Sequence, residues 1–355
     1  VFCKGAKLYY AGVRVSRYPV DTVTLFDCAD HLHSQIYRTS LRTLQHCMHD
    51  HYEDCPWREQ ALYTMDSRNQ MLCGYYTFDE YAFPRASLRM FALNLCADHT
   101  LELTSPGKTG ITIPSFTAIY MIQLGEYLRC SDDEELLREV LPAATDIADG
   151  FLARMESTGL IRRFEGERYW NFYEWQEGLA GICGREKAGD QQAYDAPLMA
   201  FVSMGLEQMC YICDRLGHPE LSARYAAARK EINAALNTYF WQPEKGCYAT
   251  TLENGRLRHA CELTQSLAVC CGAVPRGRLE QVLETLTGNM GPDFWPVTLS
   301  HSIFKYEALL KLPARYARFV FDQIADIFGA MLYKDATTFW ETSDGASAFS
   351  NAGSL

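Results

Sequence analysis

Three carboxylates and an arginine crowd one short stretch of this 355-residue chain: Asp54-Cys-Pro-Trp-Arg58-Glu59-Gln-Ala-Leu-Tyr63-Thr-Met-Asp66. Carboxyl groups held this close raise one another's pKa, and a raised pKa is what a general acid needs near neutrality. Pro56 suits the first turn of a helix, where its missing N–H costs nothing. The spacing therefore predicts a helix running from Pro56 through Asp66. On it Glu59, Tyr63 and Asp66 fall at i, i+4 and i+7 and share one face, with Asp54 just before the entry. The plainer alternative makes Asp54 a helix cap and leaves the others as a solvated face with Arg58. The pattern alone divides evenly between these readings. Ala61, Leu62 and Met65 supply no separate wet face, and that favours a site.

A second cluster, Thr337-Thr-Phe-Trp340-Glu341-Thr-Ser-Asp344-Gly345, follows the last periodic segment. A carboxylate between Trp and Thr in a loop suits catalysis or sugar binding, although such a stretch is more often ordinary loop. Acetal hydrolysis needs two carboxyl groups, one on each side of the scissile bond, and Glu59 and Glu341 are the best-framed pair in the chain. Phe116, Trp175, Trp295 and Trp340 sit beside loops or prolines. Each alone is more readily packing than a platform; together they would line a sugar pocket.

Other chemistry fits less well. His46, His49, His51 and Glu53 lack the HExxH spacing of a metal site, and a satisfied or solvated cluster explains them better. Gly107-Lys108-Thr109 has Glu102 where a phosphate loop needs its upstream glycine, and no G-x-S-x-G elbow exists for a serine nucleophile. Cys210-x-x-Cys213 is a single pair inside a helical pattern with no second pair.

The elements that must position these residues are mostly helices. Apolar residues recur at helical spacing near 30–49, 60–80, 85–98, 114–129, 133–156, 194–216, 219–239, 262–273, 276–288, 299–311 and 314–331. Ser131-Asp132-Asp133, Gly217-His218-Pro219 and Pro275 punctuate them as helix boundaries. Residues 7–25 are rich in Tyr, Val and Thr and read as strands. Two strand-like insertions are expected at 160–172 and 246–259, the second turning at Asn254-Gly255. About eleven helices with short connections point to consecutive helical hairpins, an all-α fold, without a repeat of fixed period. Spacing alone fits a closed ring and an open bundle equally.

Composition sets the outer limits. With 48% hydrophobic residues the chain can bury a large core, and 21 Tyr, 18 Phe and 6 Trp leave aromatic rings over for a carbohydrate site. A net charge of −11 argues against nucleic acid as a partner. No apolar run reads as a membrane span, and no membrane partner is expected. Fourteen scattered cysteines read as reduced thiols in a cytoplasmic setting; the chain begins with Val rather than Met, so a preceding targeting segment stays open.

The run from Val15 to Gln70 resembles the bacterial α-L-rhamnosidases of glycoside hydrolase family 78. The likeness lies in Ser16-Arg-Tyr-Pro19, in Phe26-Asp-Cys-Ala-Asp30, and above all in Asp54-Cys-Pro-Trp-Arg-Glu59 with Asp66. Ala336-Thr-Thr-Phe-Trp340-Glu341 is similar to the family's second signature, and Trp170-Asn-Phe-Tyr-Glu174-Trp175 to a looser third one near the sugar. The resemblance implies an (α/α)6 barrel of six-hairpin glycosidase type over residues 26–355, with residues 1–25 ending a preceding β domain. It implies inverting hydrolysis of terminal α-L-rhamnosides, without a cofactor or catalytic metal; calcium is left open. By the same resemblance Glu59 would protonate the leaving oxygen, and Glu341 would activate water on the opposite face. Asp54, Arg58 and Asp66 would hold rhamnose hydroxyls, and Tyr63, Phe116, Trp175 and Trp340 would line the pocket. Inversion implies carboxyl groups roughly 6.5–9.5 Å apart.

Three departures from the family pattern bear on this. Tyr63 and Phe116 stand where Trp is common, and Met65 stands where Gly is. The chain ends at Leu355, before an expected His-bearing segment, final barrel helix and small β domain, and the upstream β domains are absent. Two alternatives stay open: another six-hairpin hydrolase acting on glucosides or unsaturated uronides, and a sugar-binding fragment without turnover. The oligomeric state is not readable.

Overall fold

The computed structural model describes residues 5, 7–176, 178–183, 192–288, 290–291 and 293–345. Among them are eleven α-helices: α1 (His31–His46), α2 (Thr64–Thr77), α3 (Ala82–Leu93), α4 (Pro114–Ser131), α5 (Glu134–Ala153), α6 (Ala196–Leu216), α7 (Pro219–Ala235), α8 (Glu262–Cys270), α9 (Arg276–Thr285), α10 (Ser302–Leu309) and α11 (Pro313–Tyr333). All eleven expected helices are present, and their ends follow the expected signals. Asp133 caps α5 by accepting from the Leu136 N–H, Pro219 opens α7, and Gly217 closes α6 in the left-handed conformation with φ 80°. A cap of this kind is worth about 1 kcal/mol.

The even-numbered helices form an inner row and the odd-numbered ones an outer row. Neighbours α2, α4, α6, α8 and α10 pack in sequence, while α1 meets α11 and α3 meets α5 on the outside. Burial follows this division. α4 and α6 are apolar and buried almost all round, whereas α1, α5 and α11 bury one stripe. α6 is long and apolar enough to cross a membrane, but most of it is buried among its neighbours as a core helix. Arg68 of α2, itself fully buried, clasps the inner row. Its Nε and Nη2 donate to Glu126 of α4, Nη2 also reaches Glu307 of α10 at 3.2 Å, and the guanidinium lies 4.8 Å over Phe304. A buried guanidinium needs such partners to offset its desolvation.

The strands are short: β1 (Ala193–Asp195), β2 (Trp241–Gln242), β3 (Cys247–Tyr248), β4 (Thr251–Glu253), β5 (Arg256–Arg258), β6 (Ala260–Cys261) and β7 (Phe294–Trp295). β4 and β5 form the expected hairpin, with Asn254 at φ 50° and Gly255 at φ 73° making its two-residue turn. β1 pairs with β4 antiparallel, and β6 pairs with β7 parallel.

Three expectations are corrected. Residues 7–25 form no strand. They carry no regular secondary structure and are largely exposed, tied down by single bonds such as Tyr18 N–H to the Met48 carbonyl and Val23 N–H to the Thr77 carbonyl. β-rich composition makes a strand only where a partner edge accepts its backbone groups. Residues 160–172 make isolated bridges rather than a hairpin, pairing Ile161 with Met155, Arg162 with Tyr194 and Tyr169 with Thr112. The helix expected from Pro56 is absent: residues 56–59 are a turn, and α2 begins only at Thr64.

Candidate active site

The acidic cluster stands on a closed loop. Asp54 N–H donates to the Ala61 carbonyl at 2.9 Å, and Ala61 N–H returns a bond of 2.9 Å to Asp54 Oδ1. Gln60 lies between them at φ 52°, which no helix tolerates. The Asp54 side chain thus competes with helix for the backbone, as Asp readily does. Glu59 and Tyr63 meet nonetheless, through the loop instead of a helix face: Tyr63 Oη donates to Glu59 Oε2 at 2.8 Å. Arg58 forms an ion pair with Glu59. Asp66, in the first turn of α2, comes into the same cluster from below.

Charge couples these groups. Burial raises Asp66 to about 7, and Asp54, Glu341 and Glu59 push it in the same direction. Asp54 is also raised by burial, against the hydrogen bonds it accepts from Cys55 and from the Ala61 N–H. Burial raises Glu341 as well; Arg58 opposes the shift, while Asp54 and Glu59 add to it. Glu341, from the far end of the sequence, therefore lies within electrostatic reach of the Asp54–Asp66 cluster. The Tyr63 hydroxyl is raised, first by burial and then by its bond to Glu59.

Glu341 is carried by the loop after α11, which docks on α1. Phe339 N–H donates to Thr43 Oγ1 at 3.0 Å, and Arg42 Nη1 donates to the Thr337 carbonyl at 3.2 Å. Phe339 is buried with Ile36 and Met331 in a small core separate from the main one.

An aromatic wall leads away from the acids. Tyr63 meets Phe116 edge-on at 6.3 Å, Phe116 meets Phe172 at 5.9 Å, and Phe172 meets Trp175 at 4.8 Å. Phe116 is a buried floor, while Trp175 is 57% exposed. The inner helices bring their N-termini to this end: Thr64 Oγ1 donates to the Phe116 carbonyl, and Ser115 Oγ to the Phe172 carbonyl. Trp340 is engaged differently. It packs with the small core, and Gly345, at φ 66°, lies so close that a Cβ there would sit 2.6 Å from the indole.

Sequence reasoning placed two residues inside quoted motifs without giving either a role. Glu174 is fully buried, accepts from both the Thr298 N–H and hydroxyl, and is raised by burial to about 7. It ties the aromatic wall to the approach to α10. Its signal was visible as a charge inside an aromatic run. Trp57, inside the Asp54–Glu59 motif, is 82% exposed beside Arg58. His49 pairs with Glu53 and His51 bonds the Tyr52 carbonyl, and no metal-holding group of three His, Cys, Asp or Glu exists among the described residues. Trp295, also considered as a sugar platform, is stacked by His259 at 4.7 Å and lines a cavity of about 600 Å³ with Lys245 and Asp293. None of the cluster's acids lines that cavity.

The model of the bacterial alpha-L-rhamnosidase six-hairpin glycosidase domain matches residues 21–295. The chain belongs to this family. No curated protein sequence matches it. Among solved structures, the family 78 rhamnosidase of Bacillus sp. GL1 is 26% identical with a TM-score of 0.81; the match covers 92% of this chain and 33% of that one. The Klebsiella oxytoca rhamnosidase with rhamnose bound is 22% identical with a TM-score of 0.78, over 94% of this chain and 62% of that one. The Streptomyces avermitilis α-L-rhamnosidase complexed with L-rhamnose is 13% identical with a TM-score of 0.65, over 95% of this chain and 30% of that one. The six-hairpin helical fold is common to all of them. This rhamnosidase-family chain spans about a third of the Bacillus enzyme's length and under two thirds of the Klebsiella enzyme's.

Proposed function

We propose that this domain hydrolyses terminal α-L-rhamnosides with inversion, Glu59 acting as general acid and Glu341 as general base. The observation that carries the reading is the shared field of Glu341, Arg58, Glu59, Asp54 and Asp66, drawn from two distant stretches of chain. Family membership and the rhamnose-bound relatives support the sugar assignment.

On this reading Arg58 and Asp54 turn to the sugar's hydroxyls, and Trp175 stacks on what lies beyond. With Arg58 turned to the sugar, Glu59 is released from its ion pair, and the acid role requires it to carry a proton. Glu59 then delivers that proton to the leaving oxygen while Glu341 takes one from a water on the opposite face. Bond cleavage and water attack balance in one displacement. No step calls for a cofactor.

The test is hydrolysis of an aryl α-L-rhamnoside followed by proton NMR of the first-formed sugar. β-Rhamnose should appear first and mutarotate later. An α-first product would overturn inversion. Turnover confined to other aryl glycosides would overturn the sugar, and rhamnose binding without turnover would leave a binding domain.

A further inference from the structure

A cleft of about 370 Å³ lies along the outer side of α1 under the extended N-terminal segment, and its lining holds Arg17, Arg38, Arg42 and His46 but no acid. In a chain of net charge −11 this grouping is unusual. Arg38, Arg42 and His46 recur every fourth residue and share one face of α1. Two arginines at that spacing repel and destabilise a helix.

The helix dipole accounts for only part of the grouping. His46 lies in the last turn of α1, where the carbonyl ends favour a cation. Arg38 and Arg42 lie further back, beyond that effect, and Arg17 comes from another segment altogether. Existing bonds leave donors over. Arg42 gives one N–H to the Thr337 carbonyl, Arg17 reaches Gln45 at 3.4 Å, and Arg38 stands 4.0 Å from Asp27, too far for a hydrogen bond. Each guanidinium offers five N–H groups in a fixed fork suited to two oxygens at once, and the Ser16 and Thr22 hydroxyls border the same space.

We infer that this cleft is a binding site for an oxyanion, a carboxylate or phosphate, either borne by an acidic sugar or free in solution. Arg42 belongs both to this site and to the anchor of the loop that carries Glu341. An anion here would sit behind that loop, away from the carboxylate cluster. The site is independent of the rhamnosidase reading, because its binding is measured without turnover.

Calorimetric titration of the whole chain with inorganic phosphate, and separately with glucuronate, tests it. Saturable binding of at least one is expected, and the tighter of the two identifies the source. Added sodium chloride should weaken it, as screening does for exposed charges. Arg38→Ala and Arg17→Ala should each weaken binding about tenfold, the loss expected for a charge-assisted hydrogen bond. Arg38→Lys should restore part of it. Arg38 is 71% exposed, so its variants should keep the wild-type melting temperature. No saturable binding of either ligand would overturn the site, as would equal affinity in both alanine variants, which would mark an adventitious ion.

Discussion

The two carboxylate-bearing stretches are held by unlike means. The Asp54–Tyr63 loop is closed on itself by reciprocal Asp54–Ala61 bonds and runs directly into α2 of the inner row. The Glu341 loop rests on the outer helix α1 through Thr43, Arg42 and a three-residue core. An inverting displacement needs a fixed gap between acid and base. On the proposed reading, the acid's loop is joined to the main core through α2, and the gap then depends on how firmly the satellite core holds the Glu341 loop.

Removing either acid tests whether both sides do chemistry. Glu59→Gln and Glu341→Gln should each lower kcat on an aryl rhamnoside about 10²–10⁴-fold, the usual worth of a positioned proton-transfer group. Rhamnose affinity by calorimetry should change far less. A variant that keeps wild-type kcat would remove that residue from the mechanism and, with it, the pairing of the two regions.

The next test loosens one side only. Phe339 is 3% exposed in the satellite core, and Phe339→Ala should cost about 3–5 kcal/mol of local packing. kcat should fall while hydrogen exchange rises in residues 336–345 and stays unchanged in residues 54–66. Equal loosening of both stretches would show that one core, not two, holds the site.

Asp66 probes the α2 side through pH. Its carboxyl titrates near 3.8 when unfolded and about 7 when folded, mainly because burial disfavours the charge. Between those values the folded protein holds a proton that the unfolded chain has lost. Stability therefore falls as pH rises through that window, with the full loss present above it. Asp66 is partly open to solvent, so the effect at neutral pH should be on the order of 1–2 kcal/mol after screening. Asp66→Asn should melt higher than wild type near ~pH 8, with no such gain near ~pH 4. Parallel melting curves at both values would mean Asp66 is not desolvated by its neighbours.

These regions were unequally legible in the sequence. All eleven helices could be read from apolar period and caps, because inner and outer faces impose that period. The residues of the acidic cluster were also legible, but their support was not: a helix was expected where Asp54 and Gln60 close a loop. The i, i+4 relation of Glu59 and Tyr63 came out true in contact and false in cause. Spacing describes a helix only if the backbone takes it, and a side chain that bonds the backbone can redirect it. Residues 7–25 failed in the converse way, having strand composition but no edge to join. Glu174 stood in a quoted segment, but its role was hidden because burial and the bonds from Thr298, far along the chain, exist only in the fold. The Glu341 loop had no period to read, and its docking on Thr43 is likewise a product of tertiary structure.

The smallest expected effect isolates that docking. Thr43 donates its hydroxyl to the Thr39 carbonyl at 2.8 Å and accepts the Phe339 N–H at 3.0 Å. Thr43→Val keeps the shape and the β-branch but leaves the Phe339 N–H buried without an acceptor, at a cost of about 1–3 kcal/mol. Helix α1 should tolerate the change, because the lost bond to Thr39 serves a carbonyl already inside the helix. kcat should therefore fall less than in Phe339→Ala, by roughly tenfold at most if a kcal/mol or so of the loss reaches the transition state. Thr43→Ser, which keeps the acceptor, should recover most of it. If Val and Ser behave alike, the loop is held by Phe339 packing alone, and the hydrogen bond to α1 plays no part in setting the gap.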